Sequence, residues 1–513
     1  MSTEKDNSKR IAKNTAFLYL RMIVVMGIGL FTSRITLSVL GVSDYGIYNV
    51  VGGTVSMLTV LTGAISVATS RYLTYSLGVG DMDGLKKTFS TALNIHIILG
   101  IVIGIIAEVV GVWFLNNELN IPQERMEVAN WILQFSIFTF VVGIIAIPYN
   151  SSIISHERMN IYAYLSLYDA VVKLVIVYLL YISPIDKLIA YGILLMVASL
   201  STQVIYYFYC RKHFEECRFR FILDKGLIKE MSSFIGWAFW GNAAVMAKNQ
   251  SLSILLNIFF GTIVNAAQGI AMQVNHAVTG FIRNFMTAVN PQITKSYAQN
   301  NYDYLYMLII RSAKFSVFLA LILMIPIIMH IDTILDVWLV EVPEHANNFV
   351  NMILIYTAVE GFISPLLVAL LATGKIKNYE IGITIIYVVN ILSVYLFFKF
   401  GSQPEMGFIL NIVFKVMILL LLLYQGKQQF KLPVGRFLKE AMFKPILISL
   451  MGVALILLYS HLIDQTTIVS FVLSCFITEA MMFGGIWFFG LSSSEQDFVK
   501  DIVRQKILKK KSI

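Results

Sequence analysis

Four bases stand in or near long apolar stretches: Arg21, Arg34, Lys248 and Arg283. A charge at the centre of a bilayer costs about 3 kcal/mol on insertion scales, so such residues are expected to meet water, a partner or a substrate. Arg presents a planar fork of donors that matches phosphate, and Lys presents a compact point charge. Binding an anion is the chemistry these four could serve. Lys248 lies deepest, in the run MAKNQS beside Asn249 and Gln250. Arg21 and Arg34 lie nearer the two ends of the first apolar run, where long side chains can also reach an interface. Gly27 and Gly29 between them would permit a bend.

Two polar stripes accompany the bases. Asn49, Gly52, Ser56, Thr59, Gly63, Ser66 and Ser70 recur three or four residues apart, and so share a helix face. Taken alone, small residues at this spacing suit close helix packing in lipid. Asn265, Gln268, Asn275, His276, Thr279 and Arg283 form a second stripe of larger polar groups, which lipid cannot satisfy. A water-filled cavity explains that stripe better than packing, and by analogy the first stripe too. Asp169 and Lys173, acid before base and four apart, suit an intrahelical pair first and an ion relay second. Glu108, Glu360 and Glu479 are isolated acids in apolar surroundings. Asp169, Lys173 and Glu360 are the candidates for coupling to an ion, either a proton or sodium.

Other chemistries find no support. The chain has no phosphate-binding P-loop, no HExxH, no GxSxG and no metal-ligand cluster, so neither enzymatic activity nor a cofactor is expected. Cys210, Cys217 and Cys475 make no disulfide framework, and the Cys210/Cys217 spacing with His213 is a poor zinc match.

The elements that must position these residues are plain. Apolar runs of about 17–30 residues fill the chain, about fourteen in all, each long enough to span a hydrocarbon core. Hydrophobic residues make up 58% of the chain and charged residues 13%, about half the charge of a soluble domain. The mean hydropathy is +0.75. The class is an all-α polytopic membrane protein. The net charge of +9 does not point to nucleic acid, because Lys and Arg concentrate in alternate loops. One set of loops holds Arg71, Lys86 and Lys87, then Arg158, then Arg211 to Lys229, then Lys375 and Lys377. The other set is acidic, as in Asp332, Asp336, Glu341 and Glu344. The positive-inside rule then places both termini in the cytoplasm. The first run follows a charged segment and lacks a small-residue cleavage site, so a cleaved signal peptide is not expected.

The charged stretch 210–230 separates two six-span halves. An offset of 220 sets Gly41 on Gly261, Ala68 on Ala288, Thr74 on Thr294 and Ser76 on Ser296. The halves share an order of long span, glycine turn, polar span and basic connector, and six intervening spans give them the same orientation. The expected division is 1–230 for spans 1–6, 231–443 for spans 7–12 with a basic interfacial helix, and 444–513 for two extra spans and a basic tail.

At LGVSDYGIYNVVGG (Leu40 to Gly53) and SRYLTYSLGVGD (Ser70 to Asp81) the chain resembles the O-antigen and capsule polysaccharide repeat-unit flippases. These form the Wzx-like branch of the multidrug/oligosaccharidyl-lipid/polysaccharide (MOP) exporter superfamily. The resemblance covers essentially the whole chain. It implies a MATE-like fold of two pseudo-symmetric six-helix lobes, with spans 1, 2, 7 and 8 lining a cleft that opens alternately to the two sides. It implies a lipid-linked oligosaccharide substrate, usually on undecaprenyl diphosphate, flipped across the bacterial inner membrane. Membrane lipid, a coupling ion, a polysaccharide polymerase and glycosyltransferases are the implied partners. Arg21, Arg34, Lys248 and Arg283 are then a cationic substrate-binding cavity, carried over as a group. Asn49, Ser56, Thr59, Ser66, Gln268, Asn275, His276 and Thr279 are its polar lining. Two alternatives stand beside this reading. A drug/cation antiporter of the same superfamily would want an acidic, aromatic pocket, and a membrane-embedded glycan-assembly enzyme would want catalytic acids or a large external loop.

Overall fold

The computed structural model describes residues 2–500, apart from 57, 120, 219–221, 223, 340, 463–467 and 498–499. Among the described residues the regular structure is helical throughout. Lipid offers no partner to a backbone N–H or C=O, so each spanning segment must satisfy its own, and the helix is the single-segment solution. In chain order the helices are α1 (Ser2–Ser56), α2 (Thr59–Val79), α3 (Met82–Asn117), α4 (Gln123–Ser155), α5 (Met159–Leu179), α6 (Lys187–His213), α7 (Lys225–Phe260) and α8 (Thr262–Ala298). Then follow α9 (Tyr302–Met329), α10 (Ile331–Trp338), α11 (Ala346–Ala372), α12 (Lys377–Lys399), α13 (Glu405–Phe430), α14 (Val434–Phe437), α15 (Phe443–Leu462) and α16 (Ile468–Gly485). Ten described helical stretches are long and apolar enough to cross a membrane. α2, α7 and α8 are not among them; these carry Lys248, the second stripe and the later part of the first, whose Asn49, Gly52 and Ser56 lie on α1, so that the first stripe is divided between two helices rather than sharing one helix face.

The surface pattern is that of a protein solvated by lipid. On α3, Ile98, Ile101, Ile105, Val109 and Trp113 are exposed large hydrophobics three or four residues apart, one continuous face. The opposite face is narrow. A Cβ on Gly104 would sit 2.9 Å from Val141 of α4, so the two helices approach closely through small residues.

Glycines supply the turns. α1 is kinked at Gly41, whose φ of 77° and ψ of 168° are non-helical and open in practice to glycine alone. Gly261, between α7 and α8, has φ 85°. Gly80 (φ 81°) ends α2 and Asn300 (φ 55°) follows α8. Both pairs stand 220 residues apart, the offset at which the two halves of the sequence align. Beyond α13, Lys431 turns the chain at φ 53°. The basic stretch after it then runs helically from α14 through a five-residue π turn, Leu438–Met442, directly into α15.

The chain divides into two compact units. The first comprises residues 1–244, 287–301 and 371–380; the second comprises 245–286, 302–370 and 381–513. In the first unit α4 is the central helix, packing on α3, α6, α2 and α1, while α1 also packs on α5. The start of α7, the end of α8 and the α11–α12 connection belong to this unit. Gly78 of α2 shows how tightly the end of α8 is held, since a Cβ there would lie 2.8 Å from the Ala298 Cβ. In the second unit α9 packs against α15 and α16.

The LGVSDYG turn has a definite structural duty. Arg125, at the start of α4, donates from Nε (2.9 Å) and Nη2 to the two carboxylate oxygens of Asp44, and from Nη1 to Asp186 at 2.6 Å. Asp186 also caps α6, accepting from the backbone N–H of Leu188 and Ile189. Burial alone would raise the Asp186 pKa, but Arg125 and these two amides outweigh it and hold it below the ordinary carboxylate value. A depressed pKa contributes stability that is present above the unfolded value and lost as pH falls through the folded value. Acidification below the ordinary carboxylate range should therefore lower the melting temperature of the wild type. Asp186→Asn should be less stable at neutral pH and should lose less on acidification. Parallel melting curves for the two proteins across that range would show that Asp186 carries no such linkage.

Candidate functional site

The sequence-selected residues fall into both units, and each unit builds its own polar interior. In the first, the Arg21 guanidinium lies 4.8 Å from the centre of the Tyr162 ring on α5, a cation–π contact. Its buried Nε has no hydrogen-bond partner among the described residues. Arg34 and Asn49 are exposed, and Ser66 is half-buried. The side chains of Ser56 and Thr59 lie outside the described residues. Lys173 and Asp169 meet at 2.7 Å, as their spacing on α5 requires. Glu108 accepts a hydrogen bond from Gln134 at 2.8 Å.

A charge cluster in the first unit was not visible in the sequence. Glu157 follows α4 with φ 59° and is buried. Its carboxylate accepts from Arg10 Nε at 2.8 Å, Lys295 Nζ at 2.6 Å and Gln292 Nε2 at 2.7 Å. Its backbone carbonyl accepts from Asn14 Nδ2 at 3.2 Å. One carboxylate thus ties the start of α1 to the end of α8. No periodicity marks Glu157, because its partners are more than 130 residues away on either side.

The second unit brings Lys248 into a cluster. The Lys248 ammonium is buried and lies 5.0 Å from the ring centre of Tyr356 on α11. A second ammonium, Lys415 of α13, lies 4.8 Å from the same ring and is ion-paired with Glu360, one turn beyond Tyr356. Glu360 is therefore not the isolated acid that its local sequence suggests. Lys415 interrupts an apolar run (NIVFKVMILL) and bears the same mark that singles out Lys248, but it was missed. Two bases share one aromatic ring and only Lys415 has a carboxylate partner, so the cluster holds more bases than acids. Nearby polar groups of α8 interlock within the unit. Asn275 Oδ1 accepts from Thr357 at 2.6 Å and from Thr279 at 3.1 Å, and Asn265 accepts from Ser253 at 2.9 Å. Gln268 is buried with its carbonyl oxygen unsatisfied among the described residues. His276 and Arg283 are exposed.

Such an interior can hold an anion. The ring faces stabilise the ammonium groups, Glu360 neutralises one of them, and Lys248 remains without a carboxylate partner among the described residues.

The fold defines the class. The chain is similar to a MATE in complex with MaD3S, with a TM-score of 0.69 at 14% identity, covering 83% of this chain and 97% of that one. It is similar to an outward-facing multidrug resistance MATE family transporter of the MOP superfamily, with a TM-score of 0.69 at 13% identity, covering 82% and 97%. It is also similar to a MOP superfamily transporter from Pyrococcus furiosus Vc1 described by a reversed polarity of its binding pocket, with a TM-score of 0.67 at 12% identity, covering 82% and 96%. No curated protein sequence matches the chain significantly. These likenesses establish a MATE-like, multi-pass helical membrane fold. The family follows from the sequence: residues 11–297, more than half of the chain, match the family of polysaccharide biosynthesis proteins. The chain belongs to that family.

Removing one partner of a buried ion pair strands the other, whereas removing both does not. Lys415→Met should therefore destabilise the protein more than Lys415→Met combined with Glu360→Gln. The coupling read from a double-mutant cycle of unfolding should be about 1–3 kcal/mol. Additive single effects would mean that the pair is not formed.

Proposed function

We propose that this protein is a flippase that carries a lipid-linked oligosaccharide repeat unit, borne on undecaprenyl diphosphate, from the cytoplasmic to the periplasmic leaflet of the bacterial inner membrane. The observation that carries this reading is the excess of cations in the second unit, where Lys248 and Lys415 face one carboxylate. A diphosphate needs cationic partners, and a glycan needs hydroxyl and amide groups of the kind that α8 supplies. A cationic drug would be repelled from the same surroundings. The expected fourteen-span topology has both termini in the cytoplasm, where the sugar-transferring partners would hand over their product.

Of the acids considered for coupling, Asp169 is engaged by Lys173, while Glu360 stands beside the cationic pair. A proton or sodium ion acting through Glu360 would have to displace Lys415. Transport by alternating access also requires a contact that breaks on the cytoplasmic side, and the Glu157 cluster has the form of one. It joins elements from both halves of the sequence through charges, which exchange partners more readily than a packed core does.

Arg283→Ala and Lys248→Ala, expressed at normal levels, should each reduce surface polysaccharide strongly, with the lipid-linked unit accumulating on the inner leaflet. Arg283→Lys should retain part of the activity, because charge remains but the fork is lost. Full surface polysaccharide in the alanine variants, singly and combined, would remove this cationic site from the mechanism.

Glu157→Gln leaves Arg10 and Lys295 without their shared anion. In that background a cysteine at Ser296, a position only 2% exposed in the wild type, should react about tenfold faster with a polar thiol reagent. Unchanged reactivity would show that Glu157 does not hold this region closed.

A further inference from the structure

A second cationic site lies within the first unit, where α7 and α12 begin. A cavity of about 410 Å³ opens there, bounded by the first turns of α7 and by the α11–α12 connection. Three exposed lysines line it: Lys229, Lys375 and Lys377. The sole carboxylate among the described lining residues is Glu230, and its Oε1 is engaged by the Tyr72 hydroxyl at 3.0 Å. Behind the wall stands a further base. The Arg71 guanidinium donates to the Ala372 carbonyl at 2.9 Å and lies 4.4 Å from the centre of the Tyr72 ring. It passes directly beneath Gly374, where φ is +76° and a Cβ would come within 2.8 Å of Arg71 Nη2. The local charge is therefore strongly positive.

The remaining wall is apolar and aromatic. Phe234 and Ile376 are buried, and Lys377 Nζ lies 5.4 Å from the Trp237 ring centre. Aromatic residues and lysines at the level where apolar helices begin are the signature of the membrane interface. A free inorganic anion would gain nothing from the apolar wall, and a neutral lipid would gain nothing from the bases. Basic pockets of this kind at the cytoplasmic end of membrane helices suit phosphorylated headgroups.

We infer that this pocket is a binding site for a lipid-borne phosphate, with Lys229, Lys375 and Lys377 on the phosphate and Trp237 against the first part of the lipid body. Anionic phospholipid and a polyprenyl phosphate carrier share this chemistry. The site does not depend on the cluster around Lys248 or on the transport reading.

The test is native mass spectrometry of the purified full-length protein, titrated with phosphatidylglycerol, undecaprenyl phosphate, phosphatidylcholine and inorganic phosphate. At least one of the two anionic lipids should bind as a single tight copy, and phosphatidylcholine should not. The tighter of the two identifies the source. Each lysine removed should weaken binding about fivefold, so K229Q/K375Q/K377Q should lose about a hundredfold. Ser233→Trp, which keeps every charge and fills the cavity from α7, should also abolish the tight copy. It decides the matter if the triple variant fails to fold. Equal binding of phosphatidylcholine, competition by inorganic phosphate in the same concentration range as the lipids, or unchanged binding in the folded variants would each overturn the proposal.

Discussion

A charge surrounded by apolar helices has three ways to exist: beside an opposite charge, against a polarisable ring or dipole, or in water. That constraint organises the polar interior of this protein. Lys415 takes the first solution with Glu360, and Lys314 takes it with Glu495, whose carboxylate is also bonded to the Ser492 amide. Arg71 takes the second, with the Ala372 carbonyl and two tyrosine rings. Lys248 has the Tyr356 ring and no carboxylate among the described residues. Where a base keeps no anionic partner of its own, a substrate anion can serve as one. This asymmetry between partnered and unpartnered bases is the physical link between the fold and the proposed activity.

The two units use charge differently. In the second, the cluster of Lys248, Tyr356, Glu360 and Lys415 is built on three helices, α7, α11 and α13, and packing holds it in place. In the first, Glu157 gathers donors from α1 and α8 around a residue in the left-handed region. A left-handed backbone at a residue other than glycine costs about 1–3 kcal/mol and persists here because several ionic contacts over-determine it. In the Asp44–Arg125–Asp186 triad, Asp186 doubles as the cap of α6 and Arg125 holds both carboxylate oxygens of Asp44.

Much of the fold was legible in the sequence because lipid imposes a local rule. A spanning helix must be long and apolar within its own stretch of chain, so hydropathy alone marks α3, α4, α6 and α9 as membrane-crossing. The glycine turn at Gly41 and its counterpart at Gly261 were legible for a similar reason, since a positive φ restricts residue type locally. The intrahelical pair of Asp169 and Lys173 followed from helix geometry. The segment after α13 reads as a basic interfacial helix from its change of charge pattern, and from Val434 the backbone there is helical and continuous with α15.

What the sequence determined by itself is therefore the class: a helical, multi-pass membrane chain, with bases set in apolar stretches and a likeness to one transporter family. These are properties of single segments and of their composition. Tertiary structure decided which charges meet. That Lys415 rather than water answers Glu360, that Lys248 shares a tyrosine with it, and that Glu157 binds Arg10 and Lys295 depend on helices far apart in the chain. Hydropathy carries no information about azimuth between distant helices. An ion pair is set by a few ångströms of side-chain position, which only packing supplies.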